Sequence, residues 1–211
     1  MNKAEREAYL AEKLQEMLRY ERELWAKGVG HIGGVDEVGR GPLAGPVCAA
    51  CVVLPQDFDV PGVNDSKKLS EKKRNELYSV IVERALAYGI GLVGPGRIDE
   101  VNILNATKEA MAAAVRNAHF QIGHLLVDAL KLPEAGVPGT AIVKGDEKSV
   151  SIAAASIVAK VTRDRIMIEL DSVYPGYGFA ANKGYGTAEH YAGLRARGVT
   201  PIHRRSFLKN L

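Results

Sequence analysis

The sequence predicts an α/β protein in which helices cover the faces of a mixed β-sheet. Three observations lead there. Two β-rich apolar runs come early, strand-like runs then alternate with helix-period stripes, and the 211 residues are 46% hydrophobic and 25% charged, an ordinary globular balance. A chain of this length hides about 70% of its unfolded surface, so it needs neither disulfide nor structural zinc to hold a core.

Tyr9, Leu10, Leu14, Met17, Leu18, Leu24 and Trp25 recur at near-helical spacing among charges. Residues 1–30 are therefore expected to form an amphipathic helical extension ended by Gly28 and Gly30, with residues 31–211 as the main domain. Ile32–Val38 and Val47–Leu54 read as neighbouring strands across a Gly/Pro-rich link. A loop covers Pro55 to Leu69. Ser70 then caps a helix through Tyr88, with Leu77, Val80, Ile81 and Ala85 facing inward and Gly89 as its stop. Ile90–Val93 is a short strand. Ile103, Ala106, Ala110, Met111, Ala114 and Val115 stripe a second core helix between about Asp99 and Gln121. His124–Leu130 and Thr140–Val143 are strands, and Ser149–Asp171 is a long helix whose first half is small and apolar. A last helix, Ala188–Arg197, lies between Thr187 as cap and Gly198, and makes the C-terminal part helical.

Cys48 and Cys51 read C-A-A-C, a spacing that invites a redox or zinc interpretation. Inside a buried strand, however, residues three apart face opposite sides and share neither a bond nor a metal, so both are core residues. The longest apolar runs, such as Val47 to Leu54, fall far short of the roughly 20 residues that cross a bilayer. Six Lys/Arg and six Asp/Glu in the first thirty residues leave no stretch resembling a signal peptide. A cytoplasmic protein without membrane contact is expected.

The net charge of +3 is too small to announce a nucleic-acid binder. Its distribution is more informative, because Arg195, Arg197, Arg204, Arg205 and Lys209 follow one another with no acid among them and with His203 beside Arg204. A solvated tail and a phosphate-facing surface account for this equally well.

The acids fall where strands should be. Asp36 and Glu37 sit inside the first apolar strand, Asp128 sits inside LLVDAL, and Asp146 lies three residues beyond TAIV. Charges there are costly unless paired or metal-bound. Asp146, just before Ser149, is read equally well as a helix cap, whereas Asp128 is flanked by apolar residues on both sides and is not explained as a turn former. Carboxylates at the same ends of adjacent strands form an oxygen-only cluster suited to Mg²⁺ or Mn²⁺, and no HExxH or Cys/His array favours zinc. Two such cations would clamp the attacking and leaving oxygens of phosphodiester hydrolysis. Adjacent Asp36 and Glu37 should face opposite sides of a regular strand, so irregular pairing is expected there, with Gly39 and Gly41 allowing it.

The stretch GVDEVGRGPLAGPV, Gly34 to Val47, closely resembles the signature of ribonuclease HII. The resemblance continues through NDSKKLS from Asn64, LVDA from Leu126, KGD from Lys144, AAASIVAKVTR from Ala153, KGYGT from Lys183 and PIHRRSF from Pro201. These motifs span residues 34 to 207 in order, which is far more specific than one Gly-rich loop.

The resemblance implies an RNase H-like fold with a five-stranded mixed sheet. It also implies an endonuclease that hydrolyses the RNA strand of RNA/DNA hybrids and nicks 5′ to ribonucleotides embedded in duplex DNA, leaving a 5′-phosphate and a 3′-hydroxyl. On the matching positions, the metal ligands are Asp36, Glu37, Asp128 and Asp146, holding two Mg²⁺ or Mn²⁺ ions. Gly39, Arg40 and Gly41 read the 2′-hydroxyl through their backbone while Tyr185 packs on the sugar, although Tyr185 taken alone is also explained by packing. Ser66 and Lys67 before a helix, Ser156 and Lys160 one turn apart, and Lys183 are expected to contact phosphates, with Arg40, Arg204 and Arg205 extending the cationic track. A monomer acting on nucleic acid is implied.

The first thirty residues are too short for the N-terminal substrate-binding domain of the sister ribonuclease HIII, and Asp146 stands where that subtype usually has Glu. A catalytically silent binding module on the same fold is the alternative, weighed against by the presence of all four acids. A dinucleotide-binding fold fails because Gly39, Gly41 and Gly45 give GxGxxxG and no helix starts cleanly through Pro42 and Pro46. No GxxxxGK[ST] is present.

Overall fold

The structure is a computed structural model that describes residues 2–208; Lys209 of the basic tail lies outside them. Five strands, β1 (Ile32–Val38), β2 (Val47–Val53), β3 (Ala87–Val93), β4 (His124–Asp128) and β5 (Gly139–Ile142), form one sheet in the order β3-β2-β1-β4-β5. The β3, β2 and β1 ribbons are antiparallel, whereas β1 pairs β4 and β4 pairs β5 in parallel. The sheet is therefore mixed, and β1 is the strand at which the two patterns meet.

Helices α1 (Lys3–Met17), α2 (Arg19–Trp25), α3 (Glu71–Arg84), α4 (Pro95–Asn117), α5 (Val150–Val173), α6 (Phe179–Asn182) and α7 (Ala188–Arg197) complete the chain. Ser70, Ser149 and Thr187 cap α3, α5 and α7 with their hydroxyls, satisfying amide groups that a helix start leaves unpaired. Two apolar cores lie on opposite faces of the sheet. On one, α5 and α3 pack over Cys48, Ala50 and Val52 together with Leu14, Met17 and Leu18 of the N-terminal helices. On the other, Ala106, Ala110, Met111 and Ala114 of α4 cover Val47, Ala49 and Cys51. Cys48 and Cys51 thus face opposite cores, and burial pushes both thiols up to about 12, which makes them inert. Among the described residues no helix is long and apolar enough to cross a membrane.

Several boundaries differ from expectation. The helix expected through Tyr88 ends at Arg84, and β3 begins at Ala87 with Gly89 inside it. Gly89 is a packing residue and not a helix stop: a Cβ there would lie 2.2 Å from the Ala114 carbonyl oxygen, and one at Gly91 would lie 1.9 Å from that of Ala110. Their bare backbone lets α4 settle directly on the edge strand. Helix α4 starts at Pro95 and is interrupted at Asn102, whose φ of 67° is left-handed and whose Oδ1 accepts from the Leu104 and Asn105 amides at 3.0 and 3.1 Å. Two helical segments in series therefore replace the single one expected from Asp99 to Gln121. The N-terminal helix is likewise divided at Leu18, and β4 stops at Asp128 because Ala129 turns to a φ of 53°. The four-residue α6 is too short to leave a periodic signal.

Close approach also governs the centre of the sheet. A Cβ on Gly34 of β1 would fall 2.0 Å from the Ser151 carbonyl carbon, so the first turn of α5 rests on bare backbone two residues before Asp36. Gly34→Ala is expected to destabilise the fold by about 3 kcal/mol or more, since backbone on both sides cannot yield as a flexible side chain would. Urea unfolding at neutral pH measures it, and a loss under about 1 kcal/mol would contradict this packing.

Candidate active site

The register of β1 on β4 runs from Ile32 beside His124 to Val35 beside Val127. The next residues are Asp36 and Asp128, so parallel pairing delivers both carboxylates to the point where the β1–β4 ladder ends. Oxygens of Asp36, Glu37 and Asp128 lie within 4.8 Å of one another. Contrary to the irregular pairing expected, β1 stays in register with β2 through Val38, with Asp36 beside Ala50 and Glu37 beside Ala49. The geometry is relieved on the other edge, where pairing with β4 has ended and the longer Glu37 side chain is free to turn into the group.

Such crowding of like charges is costly. Burial, then the charges of Glu37 and Asp128, pushes the Asp36 carboxyl well above the usual carboxylate range. Burial also raises Glu37, against the pull of Arg40, whose guanidinium lies 3.5 Å away. Asp146 sits outside the 4.8 Å trio, on a single 3₁₀ turn (Gly145–Glu147) between β5 and α5. It is buried, and desolvation followed by the charges of Asp65 and Asp128 raises it to about 6. The Gly145 amide donates to Asp128 Oδ1 at 2.7 Å, which ties this turn to the strand-end carboxylate.

The segment Asp65–Lys68 forms the facing wall. Asp65, not singled out from the sequence, is buried and accepts from the Lys67 amide at 2.9 Å. Burial lowers the pKa of the Lys67 ammonium, but the charges of Asp65, Asp36, Asp146 and Glu37 together raise it. Ser66 and Ser156 are buried and bond to each other, amide to hydroxyl at 3.2 Å and hydroxyl to hydroxyl at 2.8 Å, pinning this wall to α5. Lys160 is held by Asp164 at 2.7 Å.

Gly39 takes a φ of +89°, and a Cβ there would meet the Arg163 Nε at 2.1 Å. The turn it opens is supported from beneath by two fully buried arginines. Arg204 donates to the carbonyls of Gly39 at 2.6 Å, Arg40 at 2.9 Å and Gly45 at 2.8 Å. Arg163 donates to those of Pro46 at 2.9 Å and Lys183 at 3.0 Å. Arg204 therefore does not extend a cationic surface as expected; burial lowers its pKa to about 9, so it keeps its charge at neutral pH and spends its donors on carbonyls. Arg205 remains exposed, its amide bonded to Asp99.

Tyr185 is 45% exposed, and its ring lies 3.7 Å from where a Cβ on Gly41 would stand. Lys183, the left-handed cap of α6, lies two residues before it and turns its ammonium to the Ala180 carbonyl. The Tyr185 carbonyl accepts from His190 Nδ1 at 2.9 Å, and His190 meets the buried His203 at 3.1 Å. Burial, reinforced by His190, lowers His203 to about 4, so the pair is neutral and structural. The glycine turn thus adjoins the carboxylate cluster through the Arg40–Glu37 pair and an exposed aromatic ring beside Gly41.

A sequence model of the family described as Ribonuclease HII matches residues 33–210. A ribonuclease HII from Desulfitobacterium hafniense is 56% identical over 197 residues, covering 93% of this chain and 76% of that protein. The ribonuclease H2 of Pyrococcus horikoshii OT3 superposes with a TM-score of 0.70 at 30% identity, over 85% of this chain and all of that one. The Mn²⁺ complex of Bst-RNase HIII shares the fold at a TM-score of 0.60 and 20% identity, over 87% of this chain and 67% of that one.

Arg204→Met keeps the bulk and removes the donors, leaving three inward carbonyls short of partners. It is expected to cost about 2 kcal/mol or more in urea unfolding and to lower cleavage further than the unfolded fraction explains. Wild-type stability would contradict the strut role.

Proposed function

Because the chain belongs to the ribonuclease HII family, we propose that it nicks duplex DNA 5′ to an embedded ribonucleotide, with two divalent cations held by Asp36, Glu37, Asp128 and Asp146. A member of this family is a metal-dependent nuclease that cleaves the RNA strand of RNA/DNA hybrids. The observation that carries the finer reading is the meeting of three carboxylates within 4.8 Å at the ends of β1 and β4.

The donor set fits Mg²⁺ or Mn²⁺. All its donors are oxygens, and Asp36, raised first by burial and then by the charges of Glu37 and Asp128, lies among acids whose mutual repulsion a divalent cation would relieve. When bound, such cations lower the pKa of a water and offset charge growing on the phosphate. The chain's own part is placement. Asp36 is fixed by the Glu37 amide at 2.7 Å and Asp128 by the Gly145 amide, so both carboxylates are preorganised before substrate arrives. Water oxygen adds to phosphorus and gives up a proton, while the bond to the 3′-oxygen of the preceding nucleotide breaks and that oxygen takes up a proton. The upstream strand thus ends in a 3′-hydroxyl and the ribonucleotide keeps a 5′-phosphate.

Ribose is told from deoxyribose only by the 2′-hydroxyl. The Gly39–Gly41 backbone, kept open by glycine and held rigid by Arg204, presents polar groups to it, while the Tyr185 ring lies against the sugar. Lys67, Lys160, Lys183 and Arg40 supply the cations along the path of the phosphates. Ser66 and Ser156, expected beside them, are buried and bonded to each other and hold the Asp65–Lys68 wall in place. All these groups come from one chain, so a monomer is sufficient.

On a duplex carrying one ribonucleotide, Asp128→Asn and Asp36→Asn are each expected to lower kcat by about a thousandfold or more while binding persists in a mobility-shift assay. Full activity in either variant would refute the assignment. Tyr185→Ala is expected to reduce the ratio of cleavage at ribose over deoxyribose about tenfold. Equal loss on every substrate would make the ring a packing residue.

A further inference from the structure

Glu21 lies in α2, outside the matched family region that begins at residue 33. It is only 1% exposed. A carboxylate this deep normally has a specific reason to be there, because desolvation opposes its charge. Its Oε1 accepts from the Ser149 hydroxyl at 2.6 Å and the Ser151 amide at 3.0 Å, while Oε2 is buried with no hydrogen-bond partner. The donors are the cap residue of α5 and a residue of its first turn, where unpaired amides and the helix dipole favour an acceptor.

The same few residues hold the acidic site. The Ser149 amide donates to the Gly145 carbonyl at 2.8 Å, as does that of Lys148 at 2.9 Å. The Gly145 amide in turn donates to Asp128 Oδ1, and Asp146 is the next residue. An unbroken run of hydrogen bonds thus leads from Glu21 through Ser149 and Gly145 to Asp128, passing the turn that carries Asp146. Leu14, Met17 and Leu18 bury into the core and fix the helices from which Glu21 reaches.

We infer that Glu21 is a positioning residue: its carboxylate oxygen locks the start of α5 and thereby holds the Asp128 and Asp146 carboxylates at the spacing a divalent cation requires. This rests on the metal reading of the acidic cluster given above. The N-terminal helices are then part of the working site. Groups bonded directly to a metal ligand are worth about 10- to 100-fold in metal affinity, and Glu21, acting through Ser149 and Gly145, stands at the low end of that range.

The test is Mn²⁺ titration of the full chain, followed by the loss of the free-ion paramagnetic resonance signal, with cleavage kinetics alongside. Glu21→Ala is expected to raise the Mn²⁺ dissociation constant about tenfold and to lower kcat with KM for the nucleic acid unchanged. Glu21→Gln keeps an acceptor for both donors and should stay within about twofold of wild type. Leu14→Ala, which loosens the same helices in the apolar core, should lose thermal stability without changing Mn²⁺ affinity. If Glu21→Ala does not fold, Glu21→Asp withdraws the acceptor by one methylene and should weaken Mn²⁺ binding measurably. Wild-type affinity in the folded Ala or Asp variant overturns the inference, as does equal weakening by Leu14→Ala. Failure of the unmutated chain to bind Mn²⁺ would instead overturn the metal reading itself.

Discussion

Parallel pairing of β1 with β4 brings Asp36 beside Asp128 at adjoining strand ends, and this enforced meeting of like charges sets what the rest of the chain must do. Left alone, the carboxylates would separate or take up protons, as the raised Asp36 and Asp146 indicate. They are held by backbone instead. The Glu37 and Gly145 amides fix two of them, and Gly34 lets the first turn of α5, which follows the turn bearing Asp146, lie directly on β1. A group of acids held this close, with Arg40 and Lys67 as its cationic neighbours, has the oxygen-rich character that the proposed cation binding draws on.

Two buried guanidiniums brace the glycine turn by other means. Arg163 on α5 and Arg204 near the C-terminus reach carbonyls of the 39–46 loop and of Lys183. Each serves several acceptors at once, which suits a loop whose glycines supply shape but no side chains to pack. Through these contacts the C-terminal segment, α5 and the glycine turn become one piece, with Tyr185 mounted at its edge.

Much of this was legible in the chain. Acids embedded in apolar strands marked Asp36 and Asp128, the capping hydroxyls of Ser70 and Thr187 marked the starts of two helices, and the alternation of faces separated Cys48 from Cys51. The illegible parts share a physical cause. Arg163 and Arg204 bond to carbonyls, which every residue possesses, so nothing in the sequence names their partners, and a basic residue near a basic tail looks like surface. Asn102 breaks α4 through its own side chain, a local competition that an apolar stripe hides. Gly89 read as a stop because glycine's use as a thin spot under a helix depends on what lies across the interface. Glu21 looked like one more charge on an amphipathic helix, since its partners stand far away in the chain.

The most direct test is anomalous scattering from a crystal of the protein soaked in Mn²⁺. Density peaks among the oxygens of Asp36, Glu37 and Asp128, with Asp146 beside them, are the result this account predicts. Saturating Mn²⁺ that leaves the strand ends empty, or that settles elsewhere on the molecule, would contradict it.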